Sequence, residues 1–213
     1  MNRFIAFEGI EGCGKTTQMR MAGEYLAAQG VAYLTTDEPG GTPLGKVIRE
    51  MLLNIGPYAI SPRAELLLFV AARVQHVRDV IMPALVQGKW VLCDRFIDAT
   101  FAYQGFGRGL DLTVIRQLHD FSSDSLTPAL TILLDMPVEE GIRRALDRIA
   151  RLHGVDREDR FEREALTFHQ RVREGYLTMA AEHPERYRII NAAREIAAVH
   201  QDVCRELLAF IKR

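Results

Sequence analysis

The sequence predicts an α/β protein in three layers, with a five-stranded parallel sheet between helices, and three observations predict it. First, five short apolar runs recur along the chain: residues 3–8 (RFIAFE), 31–36 (VAYLTT), 90–94 (WVLCD), 130–135 (LTILLD) and 187–191 (YRIIN). They are near-continuous rather than alternating, as strands are when both faces of a parallel sheet are covered. Second, segments of helical pattern lie between them, at 15–29, 43–54, 62–87, 111–122, 138–150, 162–182 and 195–212. Strand alternating with helix implies right-handed crossovers onto one sheet. Third, the 213 residues hold no repeat, low-complexity tract or Pro/Ser-rich linker, so a single domain over 1–213 is expected. Pro83 should kink or end the helix that spans it. In such a sheet the ligand sits outside the carboxyl ends of the strands.

Composition excludes several function classes. Hydrophobic residues make up 48% and charged residues 26%, as in ordinary soluble proteins. A formal net charge of −1 carries no signature of nucleic-acid or anionic-membrane binding. The richest apolar run, LLLFVAA at 66–72, falls short of the ~18 residues of a spanning helix. Glu8 interrupts the N-terminal apolar stretch, so no export signal is expected. Cys13, Cys93 and Cys204 form no C-x-x-C or zinc spacing, which points to a reduced, cytoplasmic protein. The histidines, His76, His119, His153, His169, His183 and His200, show no ligand spacing and read as surface or core residues.

The strongest local signal is Gly9-Ile10-Glu11-Gly12-Cys13-Gly14-Lys15-Thr16, which matches G-x-x-x-x-G-K-[ST] between an apolar strand and a helical pattern. Glycines let the backbone curl so that successive N–H groups converge on phosphate oxygens, and the helix N-terminus adds partial positive charge. The loop from Gly9 through Thr17 is thus expected to hold ATP, in a P-loop NTPase fold. Lys15 would reach the β- and γ-phosphates and the Thr16 hydroxyl would ligate Mg²⁺. Cys13 reads as a small residue filling its position, although a helix N-terminus could lower its thiol pKa and make it oxidisable.

Such a loop serves switches, motors and kinases alike. A GTPase needs N-K-x-D to read guanine; DEPG at 37–40 satisfies D-x-x-G, yet none of Asn2, Asn54 and Asn191 begins N-K-x-D. Asp94 ends a strand in the manner of a Walker B carboxylate, beside the Mg²⁺ shell, and Arg95 follows it with a fork suited to bidentate phosphate binding. A kinase fits these residues; a nucleotide-binding module without catalysis is the alternative from another class.

The ordered set FEGIEGCGKTTQ (7–18), EPGGT (38–42), AARVQH (71–76), DRFIDATFAYQG (94–105), DRFERE (159–164) and FHQRVREGY (168–176) resembles the bacterial thymidylate kinases over essentially the whole chain. The resemblance implies transfer of the γ-phosphoryl group of MgATP to dTMP, giving dTDP and ADP for dTTP biosynthesis, by a homodimer. A kinase for another nucleoside monophosphate is the nearer alternative. The resemblance puts Glu11 near the acceptor's 3′-hydroxyl and Glu38 and Arg49 near its sugar-phosphate. Phe69 would stack on thymine, Arg73 would bond the base edge, and Thr100, Tyr103 and Gln104 would surround base and deoxyribose. Without the resemblance, LLLFVAAR reads as a core helix with one snorkelling arginine.

Three positions depart from the family pattern: Ala99 stands where Ser is frequent before Thr100, Asp37 stands where Arg commonly precedes EPGG, and Gly12 replaces the loop arginine of some members. The missing loop arginine directs attention to 143–163, which carries seven arginines among acidic residues. Alone this run reads as a solvated helical hairpin with i,i+4 ion pairs. The resemblance makes about 143–161 a lid over ATP, with Arg148 as the first candidate for the transferred phosphoryl and Arg160, Arg151 and Arg157 behind it. Lys15, Arg95, Arg148 and Arg160 are the expected catalytic cations. The acceptor is a phosphate monoester with a second pKa of about 6, so no general base is required. Helix 62–87 and the segment after Tyr103 are the candidate dimer surfaces.

Overall fold

Five parallel strands carry the molecule: β1 (Phe4–Glu8), β2 (Tyr33–Asp37), β3 (Trp90–Asp94), β4 (Leu130–Asp135) and β5 (Tyr187–Asn191), in the order β2-β3-β1-β4-β5. All five coincide closely with the apolar runs. The structure is a computed structural model and describes residues 2–54, 59–151 and 160–212. Arg157 and the rest of 152–159, the middle of the expected lid, lie outside the described residues.

The even apolarity of the strands has its cause in two covered faces. Ile5, Phe7 and Leu92 face one core with residues of α1 (Lys15–Ala28), α8 (Leu166–Glu182) and α9 (Ile196–Ile211). Phe4, Ala6, Val91 and Cys93 face the other, with residues of α3 (Pro62–His76) and α6 (Leu112–Ser123). Successive side chains point to opposite faces, so a strand buried on both sides is apolar almost throughout; the buried Glu8 and Thr131 are each hydrogen-bonded. The edge strands β2 and β5 are the less buried ones. A parallel sheet brings its carboxyl ends to one rim, and here that rim carries Glu8, Asp37, Asp94, Asp135 and Asn191. Helix α2 (Pro43–Leu53) and α7 (Val138–Arg151) follow two of those ends.

The helices depart from expectation in three places. Pro83 does not end its helix: α3 widens into a π-helical turn over Val77–Ile81 and continues as α4 (Met82–Val86), with Pro83 in the first turn of α4. Residues 97–107, for which no helix was expected, form α5 (Ile97–Thr100) running into a π-helical stretch, Phe101–Gly107. The glycines of this stretch serve close packing: a Cβ on Gly107 would meet the Phe168 ring at 2.6 Å and Val172 at 3.0 Å. Helix α8 begins at Leu166 rather than at 162.

Candidate active site

The phosphate loop needs its glycines for backbone reasons. Gly9, Gly12 and Gly14 have φ of 138°, 71° and 91°, the region that side-chain-bearing residues avoid. Gly14 caps α1 in left-handed conformation, so the first N–H groups of α1 open toward the strand ends. Lys15 Nζ lies within this ring, donating to the carbonyls of Ile10 at 2.8 Å and Gly9 at 3.1 Å. Thr16 donates its hydroxyl to Asp94 Oδ2 at 2.6 Å. A hydroxyl and a carboxylate side by side at a helix N-terminus are hard oxygen donors that fit Mg²⁺, which keeps waters and nucleotide oxygens as its other ligands. Among the described residues no cluster of three His, Cys, Asp or Glu could form an all-protein metal cage.

Cys13 is buried against Lys15. Burial pushes its thiol up, and the charges of Lys15 and Arg95 do not outweigh it. The alternative of a thiol acidified by the helix N-terminus is not favoured: desolvation wins.

At the end of β3 the chain turns sharply. Arg95 has φ of 67°, a conformation costly for a long side chain unless its contacts hold it. They do. Its guanidinium donates to Glu11 Oε1 at 3.1 Å and Gly9 O at 3.2 Å, and lies 4.8 Å from the centre of the Tyr103 ring. Tyr103 Oη donates to the same Glu11 oxygen at 2.5 Å. The second Glu11 oxygen faces the buried His169 Nδ1 at 3.3 Å. Burial alone would raise the Glu11 pKa; the adjacent His169 ring and the charges of Arg95 and Lys15 hold it well below the usual carboxylate range.

A second buried network lies beneath the far end of the same cleft. Arg73, 1% exposed, donates to Glu38 at 2.6 Å and to Thr100 Oγ1 at 2.7 Å. Glu38 also meets His76 Nδ1 at 3.2 Å, and His76 Nε2 lies 2.7 Å from Thr36 Oγ1. Arg73 Nη1 is buried without a hydrogen-bond partner among the described residues. Asp37, in place of the family's frequent arginine, accepts from Arg49 at 3.2 Å, and Arg49 also donates to Pro39 O.

These groups line one cleft of about 400 Å³ at the carboxyl rim. Lys15, Thr16, Asp94 and Gly12 are at it, as are Glu11 and Arg95, and so are Glu38, Arg49, Phe69, Arg73, Thr100, Tyr103 and Gln104. Arg148 lines it too, with Nη2 3.7 Å from Glu162 Oε1. Arg160 stands apart: it donates to the buried Glu65 at 2.6 Å and to Leu52 O, and lies over the Phe161 ring at 4.4 Å. Arg108 makes two further bonds to Glu65 at 3.2 Å, and Gln104 Nε2 one at 2.8 Å. Arg160 thus ties the chain beyond 159 to α3 in a buried ionic cluster.

Sequence reading missed three supporting residues: His169, which abuts Glu11, and Glu8 with Tyr176. Glu8 accepts from Phe96 N–H at 2.8 Å and shares a 2.7 Å hydrogen bond with Tyr176 Oη, which Arg95 reaches at 3.4 Å. The one available signal was a carboxylate inside an otherwise apolar strand, a position that demands partners.

A phosphate loop on a β2-β3-β1-β4-β5 parallel sheet, a hydroxyl-carboxylate pair for a metal and a cation-rich cleft beside them define a P-loop phosphotransferase of the small-molecule kinase type. Comparison with known proteins narrows this. The family model described as thymidylate kinase matches residues 7–203. The chain is 56% identical to the thymidylate kinase of Syntrophus aciditrophicus over 97% of its own length and 94% of that protein's. It is 49% identical to that of Geobacter sulfurreducens over the full length of both. A crystal structure of thymidylate kinase from Ehrlichia chaffeensis aligns with a TM-score of 0.76 at 35% identity, covering 97% of this chain and 98% of that one. The chain belongs to the thymidylate kinase family.

Burial, then the charge of Asp98, raise the Glu8 pKa to about 8, against the opposing charge of Arg95 and the hydrogen bonds from Tyr176 and Phe96. The folded value lies above the unfolded one, so the stabilisation is complete in acid and is lost as pH rises toward about 8. Glu8→Gln keeps the hydrogen bonds and cannot ionise. Its melting temperature relative to the unaltered protein is expected to rise by about 5 °C or more between mildly acid and mildly alkaline pH. A pH-independent difference would mean that Glu8 is ionised in the fold.

Proposed function

We propose a division of labour within the cleft for the reaction of this ATP-dependent nucleoside monophosphate kinase, transfer of the γ-phosphoryl group of ATP to dTMP. The observation that carries it is the pairing of two unlike ends. One end is the phosphate loop with Lys15, Thr16 and Asp94; the other is Phe69 above Arg73, whose Nη1 is buried with no partner among the described residues. A buried unpaired donor is costly, and a pyrimidine carbonyl is the acceptor that would relieve it while the ring stacks on Phe69.

The loop N–H groups and Lys15 hold the donor phosphates, and Thr16 and Asp94 hold Mg²⁺, which when bound neutralises charge between the phosphates. Arg95 stands between the two ends, fixed by Glu11 and Tyr103, and clamps the acceptor phosphate beside the γ-phosphate. Glu38, Arg49, Thr100, Tyr103 and Gln104 position the acceptor's sugar and base. The acceptor phosphate is anionic near neutral pH, so positioning and charge neutralisation are the catalytic work. Arg148 supplies the cation from above; Arg160 anchors the lid through Glu65. The setting is the cytoplasm, where both nucleotides are made.

The same reading includes a homodimer. Leu67 and Val74 on α3, and Val114 and Phe121 on α6, are exposed apolar residues spaced seven apart, hence on one face of each helix. Phe121 is 86% exposed, and α3 and α6 are in contact. Phe121→Glu is expected to shift a sedimenting dimer to monomer at micromolar concentration; an unchanged dimer would place the interface elsewhere.

Arg95→Ala is expected to lower kcat about 10³-fold while the Kd for ATP, measured by calorimetry, stays within a few-fold. Loss of ATP binding instead would move Arg95 to the donor side.

A further inference from the structure

Gly12 does more than permit a left-handed turn. A Cβ there would collide with the carbonyl oxygen of Gly141 and approach Gly141 C at 2.9 Å and Ala145 N at 3.1 Å. The clash is reciprocal: a Cβ on Gly141 would lie 2.6 Å from Glu11 O and 2.8 Å from Ile10 Cδ1. The phosphate loop and α7 therefore touch backbone to backbone, with no side chain between them. Gly141 lies inside a helix and has an ordinary φ, so no turn requires it. In a helix interior glycine is the poorer choice than alanine, and only the contact accounts for it here.

The consequence runs along the helix. Val138, Gly141, Ala145 and Ile149 are the buried residues of α7. Arg148 is seven residues after Gly141, two turns and about 10 Å along the same face, and it lines the cleft with Gly12, Lys15 and Thr16. How deeply α7 sits on the loop sets how far Arg148 stands from the phosphates that the loop holds. The same contact keeps any side chain, an arginine included, off position 12.

We propose that Gly141 is a positioning residue for phosphoryl transfer: its missing side chain seats α7 directly on the phosphate loop, and that seat sets the reach of Arg148. The proposal rests on the reading of Arg148 as the cation of the transferred phosphoryl.

Steady-state kinetics of Gly141→Ala, Arg148→Ala and the double variant, at saturating MgATP, test both separately. Gly141→Ala is expected to lose about 10²-fold in kcat, the scale of an ångström-sized misplacement, with the KM for dTMP unchanged. Arg148→Ala is expected to lose at least as much, and the double variant no more than Arg148→Ala alone, because both changes remove one interaction. Full activity in Gly141→Ala, or losses that multiply in the double variant, would overturn the proposal. Full activity in Arg148→Ala would overturn the reading of Arg148 itself. Should Gly141→Ala lack a cooperative melt, Gly141→Ala combined with Ile10→Val, which removes the Cδ1 that the new Cβ would meet at 2.8 Å, softens the clash and enters the same cycle with the same expected and contrary results.

Discussion

The cleft depends on the ion pair between Arg95 and Glu11. Glu11 belongs to the phosphate loop after β1, and Arg95 is the first residue beyond β3, so their 3.1 Å contact joins the ends of two adjacent strands. The pair is shielded, with the Glu11 side chain 8% exposed, and charges so placed are held strongly only if every remaining lone pair and proton finds a partner. Tyr103, Gly9 and Tyr176 supply partners, and the second Glu11 oxygen is left facing His169 Nδ1 at 3.3 Å with no hydrogen bond among the described residues. Behind them Glu8 fixes the turn that follows β3 by accepting the N–H of Phe96. The left-handed φ of Arg95 turns its guanidinium to the cleft, against Glu11 and Tyr103.

This arrangement explains the division of the molecule. The sheet, covered on both faces, is a rigid floor, and its carboxyl rim collects side chains that would be intolerable in the core. Several cleft side chains are held in orientation by other buried groups: Arg95 by Glu11 and Tyr103, Arg73 by Glu38 and Thr100, Glu38 by His76. The described residues of the arginine-rich segment follow a different logic. Arg148 is 62% exposed, with one long contact to Glu162, whereas Arg160 is locked to Glu65. One arginine of the charged segment is an anchor and another has reach, a distinction that charge alone does not reveal.

The five strands were legible in the sequence because the sheet is buried on both sides, which leaves an unbroken apolar run at each. The phosphate loop was legible because its backbone geometry demands glycine at fixed spacing. Residues 97–107 were not legible as helix, and only the packing of Phe168 and Leu112 against Gly107 and Gly105 shows why those positions are small. Phe69 and Arg73, which line the cleft, stood out in the sequence only through family resemblance; their spacing fits a core helix equally well. His169 and Tyr176 act through Glu11 and Glu8, partners more than 150 residues away in the chain, and no local pattern announces such a pairing.

The central claim is that one cleft joins ATP at the phosphate loop to a thymine nucleotide at Phe69 and Arg73. A coupled ADP-release assay with MgATP against dTMP, dUMP, UMP, CMP, AMP and GMP tests it most directly. The account predicts strong turnover with dTMP and weak or no turnover with the purine and ribose monophosphates. Turnover favouring one of those would contradict the base site, and ATP binding without turnover on any of them would contradict the kinase reading as a whole.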